Sequence, residues 1–164
     1  MNTIHKWLIS FILILFLIIS CSNKGSVPAD LIHDPFIQSQ TELREVIQSI
    51  VRDAETANIK GLQKIHLESE KFTKFGPRKF NRQDVTTTNE SEAAHFSSIS
   101  NFKQEVRNLK IDVFGDIGIA TYYPHVSFFK EGKKIKADGR QTLVFLKTKE
   151  GWKIVHEHGT IRKE

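Results

Sequence analysis

The chain has 164 residues, of which 39% are hydrophobic and 26% charged, with a formal charge of +5. That is room for one domain of ordinary globular composition, and a single cysteine excludes an internal disulfide. The basic residues are scattered and accompany no basic helix or recognition motif, so nucleic acid is not an expected partner. Their richest cluster is Lys130, Lys133, Lys134 and Lys136, around an expected hairpin tip. A solvated turn explains it, with contact to an anionic lipid or another anion as the sharper reading.

Residues 1–20 read as a secretory signal. His5 and Lys6 precede an almost unbroken apolar run from Trp7 to Ile19, and Ser20 and Cys21 follow. The run is shorter than the roughly 18 apolar residues of a spanning helix. Ile18-Ile19-Ser20-Cys21 resembles the lipobox of bacterial lipoproteins, which implies cleavage before Cys21, a thioether-linked lipid on its sulfur and acylation of the new amino terminus. Several acyl chains hold stably, because each buried methylene contributes about 0.8 kcal/mol. The protein is thus expected to be exported and anchored in a cell-envelope membrane, the outer one in a Gram-negative host, since Ser22 rather than an acid follows the cysteine. Residues 21–38 form the lipidated start and a polar, turn-rich tether. A domain over 39–164 follows.

From Thr41 the apolar residues take helical steps: Leu43, Val46, Ile47, Ile50, Val51, Ala54 and Ala57. Ser39 with Glu42 reads as a capping box. Asn58 and Gly61 interrupt the run, and a short second helix with Leu62 and Ile65 is expected. Residues 71–75 alternate as a short strand before Gly76-Pro77 breaks it. Residues 78–88 read as irregular, with a third small helix starting at Asn89 or Ser91. Four strands are then expected: Val106–Phe114, Ile119–Phe129, Ile135–Lys147 and Gly151–Thr160. Pro124 cannot donate to a ladder, so it argues for an edge position or a bulge. Central strands are apolar on both faces, with Leu143 and Phe145 on one and Val144 and Leu146 on the other. Helices cover one face; a second copy of the sheet, in a homodimer, is expected on the other.

The last strand gathers the polar candidates. By strict alternation Trp152, Ile154, His156 and His158 share one face, and Lys153, Val155 and Glu157 the other. His156 and His158 could offer two nitrogens to a metal, but no spacing supplies a third ligand, and no metal or other cofactor is expected. Glu157, buried beside Val155 and aromatic neighbours, is the catalytic candidate, an acid or base with a raised pKa. A cross-strand salt bridge with Arg140 or a lysine is the structural alternative. Tyr123, His125, Arg140, Gln141, His156, Glu157 and His158 are the candidates for binding a small polar or anionic ligand.

Helices followed by long antiparallel strands that end in Trp-Lys-Ile-Val-His-Glu-His resemble the SnoaL-like, DUF4440-type branch of the nuclear transport factor 2 (NTF2-like) superfamily. The resemblance spans about Thr41 to Thr160 and is carried best by residues 66–77 and 151–160. It implies an α+β, cystatin-like cone in which N-terminal helices pack on a curved, mixed or antiparallel sheet. It also implies a pocket at the wide end and dimerisation through the sheet. Members include cyclases and isomerases that use a pocket Asp as proton acceptor. No such Asp is identifiable here, since Asp112, Asp116 and Asp138 fall at strand ends or turns. The favoured reading is therefore a binding domain without catalysis. The alternatives are a cyclase or isomerase using Glu157 or a histidine, and an assembly piece of an envelope complex.

Overall fold

The structure is a computed structural model that describes residues 30–77 and 79–163, with the side chain of residue 163 excluded. The expected signal, Cys21 and most of the expected tether lie outside the described residues. Among the described residues no helix is long and apolar enough to cross a membrane.

Helix α1 runs over Ile37–Glu55. The Asp34 carboxylate accepts from the amide of Phe36 at 2.8 Å, and Phe36 itself takes a left-handed conformation (φ 47°) before the helix begins. The expected capping box at Ser39 and Glu42 is therefore not formed, because Ser39 lies one turn inside the helix. Glu42 reaches instead to the sheet, where it accepts from Lys147 Nζ at 2.8 Å and from the Trp152 indole N–H at 2.9 Å. Leu43, Ile47 and Ala54 form the buried stripe. Ala57, with φ 51°, ends the run, and Asn58 caps α2 (Ile59–Ile65) by accepting from the Gly61 amide.

Strand β1 (Thr73–Phe75) and helix α3 (Val85–Ser97) follow. The third helix starts a turn earlier than its composition suggests, because the Asp84 side chain accepts from the Thr87 amide at 2.8 Å and caps it. Residues 85–88, read as irregular, are its first turn. Strands β2 (Ser100–Phe114), β3 (Ile117–Lys130), β4 (Lys133–Thr148) and β5 (Gly151–Lys163) complete one sheet, in the order β1-β5-β4-β3-β2. All pairings are antiparallel except β1 with β5, so the sheet is mixed.

Three irregularities shape it. In β2 the register slips by one residue at two places, where Asn101 and Asn108 both adopt φ 52°. A third slip falls in β5, where Phe145 faces Ile154 but Val144 faces His156, leaving Val155 as the extra residue of a bulge. Pro124 marks none of these. It sits in β3, an inner strand, opposite Val106 on one side, and on the other its ring lies 3.1 Å from where a Gly139 Cβ would stand. The paired register with β4 skips from Tyr122–Gln141 to His125–Asp138. A glycine opposite the ring lets an inner strand carry a proline without being an edge.

One face of the sheet is the core. Ile111, Val113, Ala120, Leu143, Phe145, Trp152 and Ile154 pack with Leu43, Ile47 and Phe72. Gly118 lets α1 approach closely, since a Cβ there would collide with Leu43. The opposite, outer face carries Ile119, Val144 and Leu146, all half-buried, with Tyr123 exposed.

Candidate functional site

The bulge at Val155 decides which polar groups enter the domain. Ile154 faces Phe145 in the core, and after the extra residue Glu157 faces Leu143, also in the core. The expected sharing of a face by Trp152, Ile154, His156 and His158 is thus corrected. The bulge resets the alternation, Glu157 joins Trp152 and Ile154, and the two histidines turn to the outer face.

Buried Glu157 is met by groups from two other segments, which α3 in turn holds. After α2 the chain runs alongside β5 in the same direction. His66 bridges to Ile154, the Leu67 amide donates to the Ile154 carbonyl at 2.8 Å, and β1 then sets Lys74 opposite Glu157. In parallel strands paired residues share a face, so Lys74 points inward with Glu157. Its ammonium lies 2.8 Å from Glu157 Oε2 and 2.5 Å from Glu92 Oε1 of α3. His66 Nε2 lies 2.8 Å from Glu157 Oε1, and its Nδ1 lies 2.8 Å from Asn89 Oδ1, also of α3. Both oxygens of Glu157 are therefore occupied. The cluster joins β5, β1, the segment after α2, and α3.

Its electrostatics follow from that closure. Burial alone pushes the Glu157 carboxyl up, but the Lys74 ammonium and the hydrogen bond from His66 outweigh it and hold the group well below the usual carboxylate range. The expected raised pKa is corrected accordingly. Burial pulls His66 down, and the hydrogen bond and charge of Glu157 then carry it above its ordinary value. For Lys74 burial likewise opposes the charge, and Glu157 and Glu92 more than reverse it. The Tyr122 hydroxyl, deeply buried and near the Gln104 side chain, is pushed up by burial and by the charge of Glu157.

His66, Glu92 and Glu157 each offer a ligand atom within 4.8 Å of the others. A divalent ion there would have to share the space with the ammonium of Lys74, which already bridges both carboxylates. The cation around which these acids are arranged belongs to the chain. A separate groove of about 290 Å³ lies between α1, α2 and the start of β5, over Val46, Ile50, Ile65 and Trp152. Glu157 does not line it.

The ligand candidates divide between the two faces. Gln141, opposite Tyr122, lies on the inner face with Glu157. Tyr123, His125, Arg140, His156 and His158 lie on the outer face. His125 Nδ1 is 2.8 Å from Asp138 Oδ1, and Thr73 Oγ1 is 2.7 Å from His156 Nδ1. The Phe75 ring stands edge-on to both His156 and His158, with centroids 5.9 and 6.1 Å apart. These outer residues cannot line one pocket with Glu157. Arg140, on the wrong face, is not its salt-bridge partner. The lysine of that alternative is Lys74, across β1, and His66 joins it, although neither residue was named for the part. The alternation of buried Phe72 with Lys74 was the available signal for an inward lysine.

With that geometry in hand, comparison with known proteins adds the family. Residues 43–162 match the model of the SnoaL-like domain. Among solved structures, an NTF2-like superfamily protein from Salmonella enterica serovar Typhimurium superposes with a TM-score of 0.71 at 18% identity, covering 78% of this chain and 94% of that one. A conserved protein from Planctomyces limnophilus gives 0.69 at 8% identity, covering 78% and 99%. A protein with a cystatin-like fold from Caulobacter vibrioides gives 0.64 at 15%, covering 77% and 91%. None of the curated proteins compared with the chain matches it. The fold is NTF2-like, α+β, with N-terminal helices on a five-stranded mixed sheet, and the chain belongs to the SnoaL-like domain family.

Proposed function

We propose that this protein is an exported lipoprotein, held in a cell-envelope membrane by acyl chains on Cys21, whose SnoaL-like domain binds a small polar or anionic molecule without catalysing its conversion. The observation that carries the second half is the closure of Glu157. A general base needs access to the substrate's proton and a pKa near the working pH. Glu157 has both oxygens engaged, by His66 and Lys74, and a carboxyl held far below neutrality. What remains for a ligand is hydrogen bonding. The side chains of Glu92 and Lys74 retain 20% and 15% exposure, so solvent reaches the cluster from the α3 side. An anionic group could there take the place of Glu92 on Lys74.

The domain further reads as one half of a homodimer that packs through the outer sheet face, where Ile119, Val144 and Leu146 offer apolar surface. Native mass spectrometry on residues 22–164, purified gently without the lipid, tests both statements. The expected spectrum is a dimer that carries an additional small mass. An empty monomer would remove the pocket-binding reading and the dimer together. Incorporation of labelled palmitate that disappears in Cys21→Ser tests the anchor.

A further inference from the structure

We infer that the end of the domain bearing the Gly115–Asp116 turn rests on the bilayer through an apolar patch; this rests on the anchor proposed at Cys21. Two observations meet at that end. The first is where the chain enters. Eight residues separate Cys21 from Asp30, so an anchored Cys21 lies within about 30 Å of Asp30 even at full extension. Asp30 turns the chain at once, its carboxylate accepting from the amides of Ile32 at 3.1 Å and His33 at 2.9 Å. Leu31 is thereby set against the β2–β3 turn, 3.4 Å from where a Gly115 Cβ would stand.

The second is what that end leaves uncovered. Ile32 is 81% exposed, Ile37 65%, Leu31 46%, Phe114 40% and Ile117 37%. Phe114 and Ile117 pair across the same turn, and Ile37 opens α1. Five of the nine large apolar side chains exposed among the described residues thus belong to this entry segment, this turn and the helix that follows. A patch of that kind beside a membrane tether fits an apolar surface. Asp30, Asp34 and Asp116 lie in the same segments, so attraction to anionic headgroups is not what brings this end down.

The lysine cluster has the opposite address. Lys130, Lys133, Lys134 and Lys136 flank the β3–β4 turn, at the far end of β4 from Thr148. That strand is 16 residues long, about 50 Å of chain, so a domain standing on its Gly115–Asp116 end carries the lysine tip well away from the bilayer. In that orientation the lysines face away from the membrane that holds Cys21. A second copy on the outer sheet face would cover Phe114 and Ile117, but not Ile37 on α1 at the sheet's other side, nor Ile32 on the entry segment.

The test uses the full, lipidated chain in vesicles of phosphatidylethanolamine and phosphatidylglycerol. Cys21 carries the lipid, so Ile32→Cys and Glu131→Cys each supply one thiol for a fluorophore at an exposed position. The label at 32 should be quenched by nitroxide lipids and be several-fold less open to aqueous iodide than the label at 131, with no change on adding salt. Equal iodide quenching at the two positions, in a chain whose mass includes the acyl groups, overturns the patch and leaves the anchor standing. Salt-sensitive protection at 131 alone also overturns it, in favour of the lysine tip. A chain whose Cys21 carries no acyl group overturns the anchor, and this inference with it.

Discussion

Replacing Lys74 by Met isolates what the buried cluster contributes. The substitution keeps an unbranched apolar stem and removes only the ammonium that bridges Glu157 at 2.8 Å and Glu92 at 2.5 Å. Removing one partner of a buried pair leaves an uncompensated charge and costs about 3–5 kcal/mol, a large share of the roughly 5–15 kcal/mol that holds a domain together. For a domain of this size that lowers Tm by about 10–15 °C. The pH dependence identifies the cause. In the parent protein the Glu157 carboxyl is held at about 2, against 4.5 when unperturbed. The folded state therefore binds fewer protons than the unfolded state between those values. That contribution is complete above the higher value and is lost as pH falls towards the lower one. Without Lys74 the carboxyl keeps only the hydrogen bond and charge of His66 against its burial, so its depression shrinks, and with it the stability the group contributes above its unfolded value. The gap between parent and variant should be widest at neutral pH and should narrow in acid. Urea unfolding of residues 22–164, followed by Trp152 fluorescence at about pH 7 and about pH 4, measures both. A loss below about 1 kcal/mol at neutral pH, or an equal gap at the two pH values, would refute the assignment of Lys74 as the counter-charge.

Other consequences are as direct. His66, raised above its ordinary value, contributes stability that is present below about 6.5 and lost as pH rises through its folded value; His66→Gln should flatten that alkaline decline in a pH series of thermal melts. Deleting Val155 removes the bulge residue and would turn Glu157 to the outer face, so a chain without it should show no cooperative unfolding transition by circular dichroism. Gly139→Val would set a Cβ 2.7 Å from the Thr160 carbonyl oxygen and 3.1 Å from the Pro124 ring. It should lower stability by about 1–3 kcal/mol in urea melts, and an unchanged midpoint would mean that the inner strand carries its proline by some other means.

Much of this fold could be read from periodicity. The apolar stripe of α1 and the paired glycine turns of the last four strands are local signals, and the observed elements overlap the expected ones at every place. The errors have a shared physical source. The Asp84 cap outweighed a stretch of weak helix formers, so α3 began sooner than its composition suggests. Phe36 in a left-handed conformation displaced the start of α1, and a capping-box acid became a tie to Trp152 and Lys147. At the site, Glu157 was singled out as a buried carboxylate from Val155 two positions before it, although the bulge then took Val155 out of the alternation. Its partners were not, because Lys74 lies 83 positions upstream and reaches it through a parallel pairing that no hairpin signal announces. The side of the sheet it faces was hidden too, since a bulge is a property of two strands in register and leaves no mark in either alone.

The Val155 bulge also governs how this chain can be compared with its relatives. Upstream of it, odd and even positions of β5 have one meaning; downstream they exchange it. An ungapped alignment to a relative that lacks the extra residue would place Glu157 opposite an outward side chain and His156 or His158 opposite an inward one. It would then report a substitution where the two proteins differ by an insertion. Position equivalence in this strand has to be counted from each end separately, with the single unmatched residue left between them.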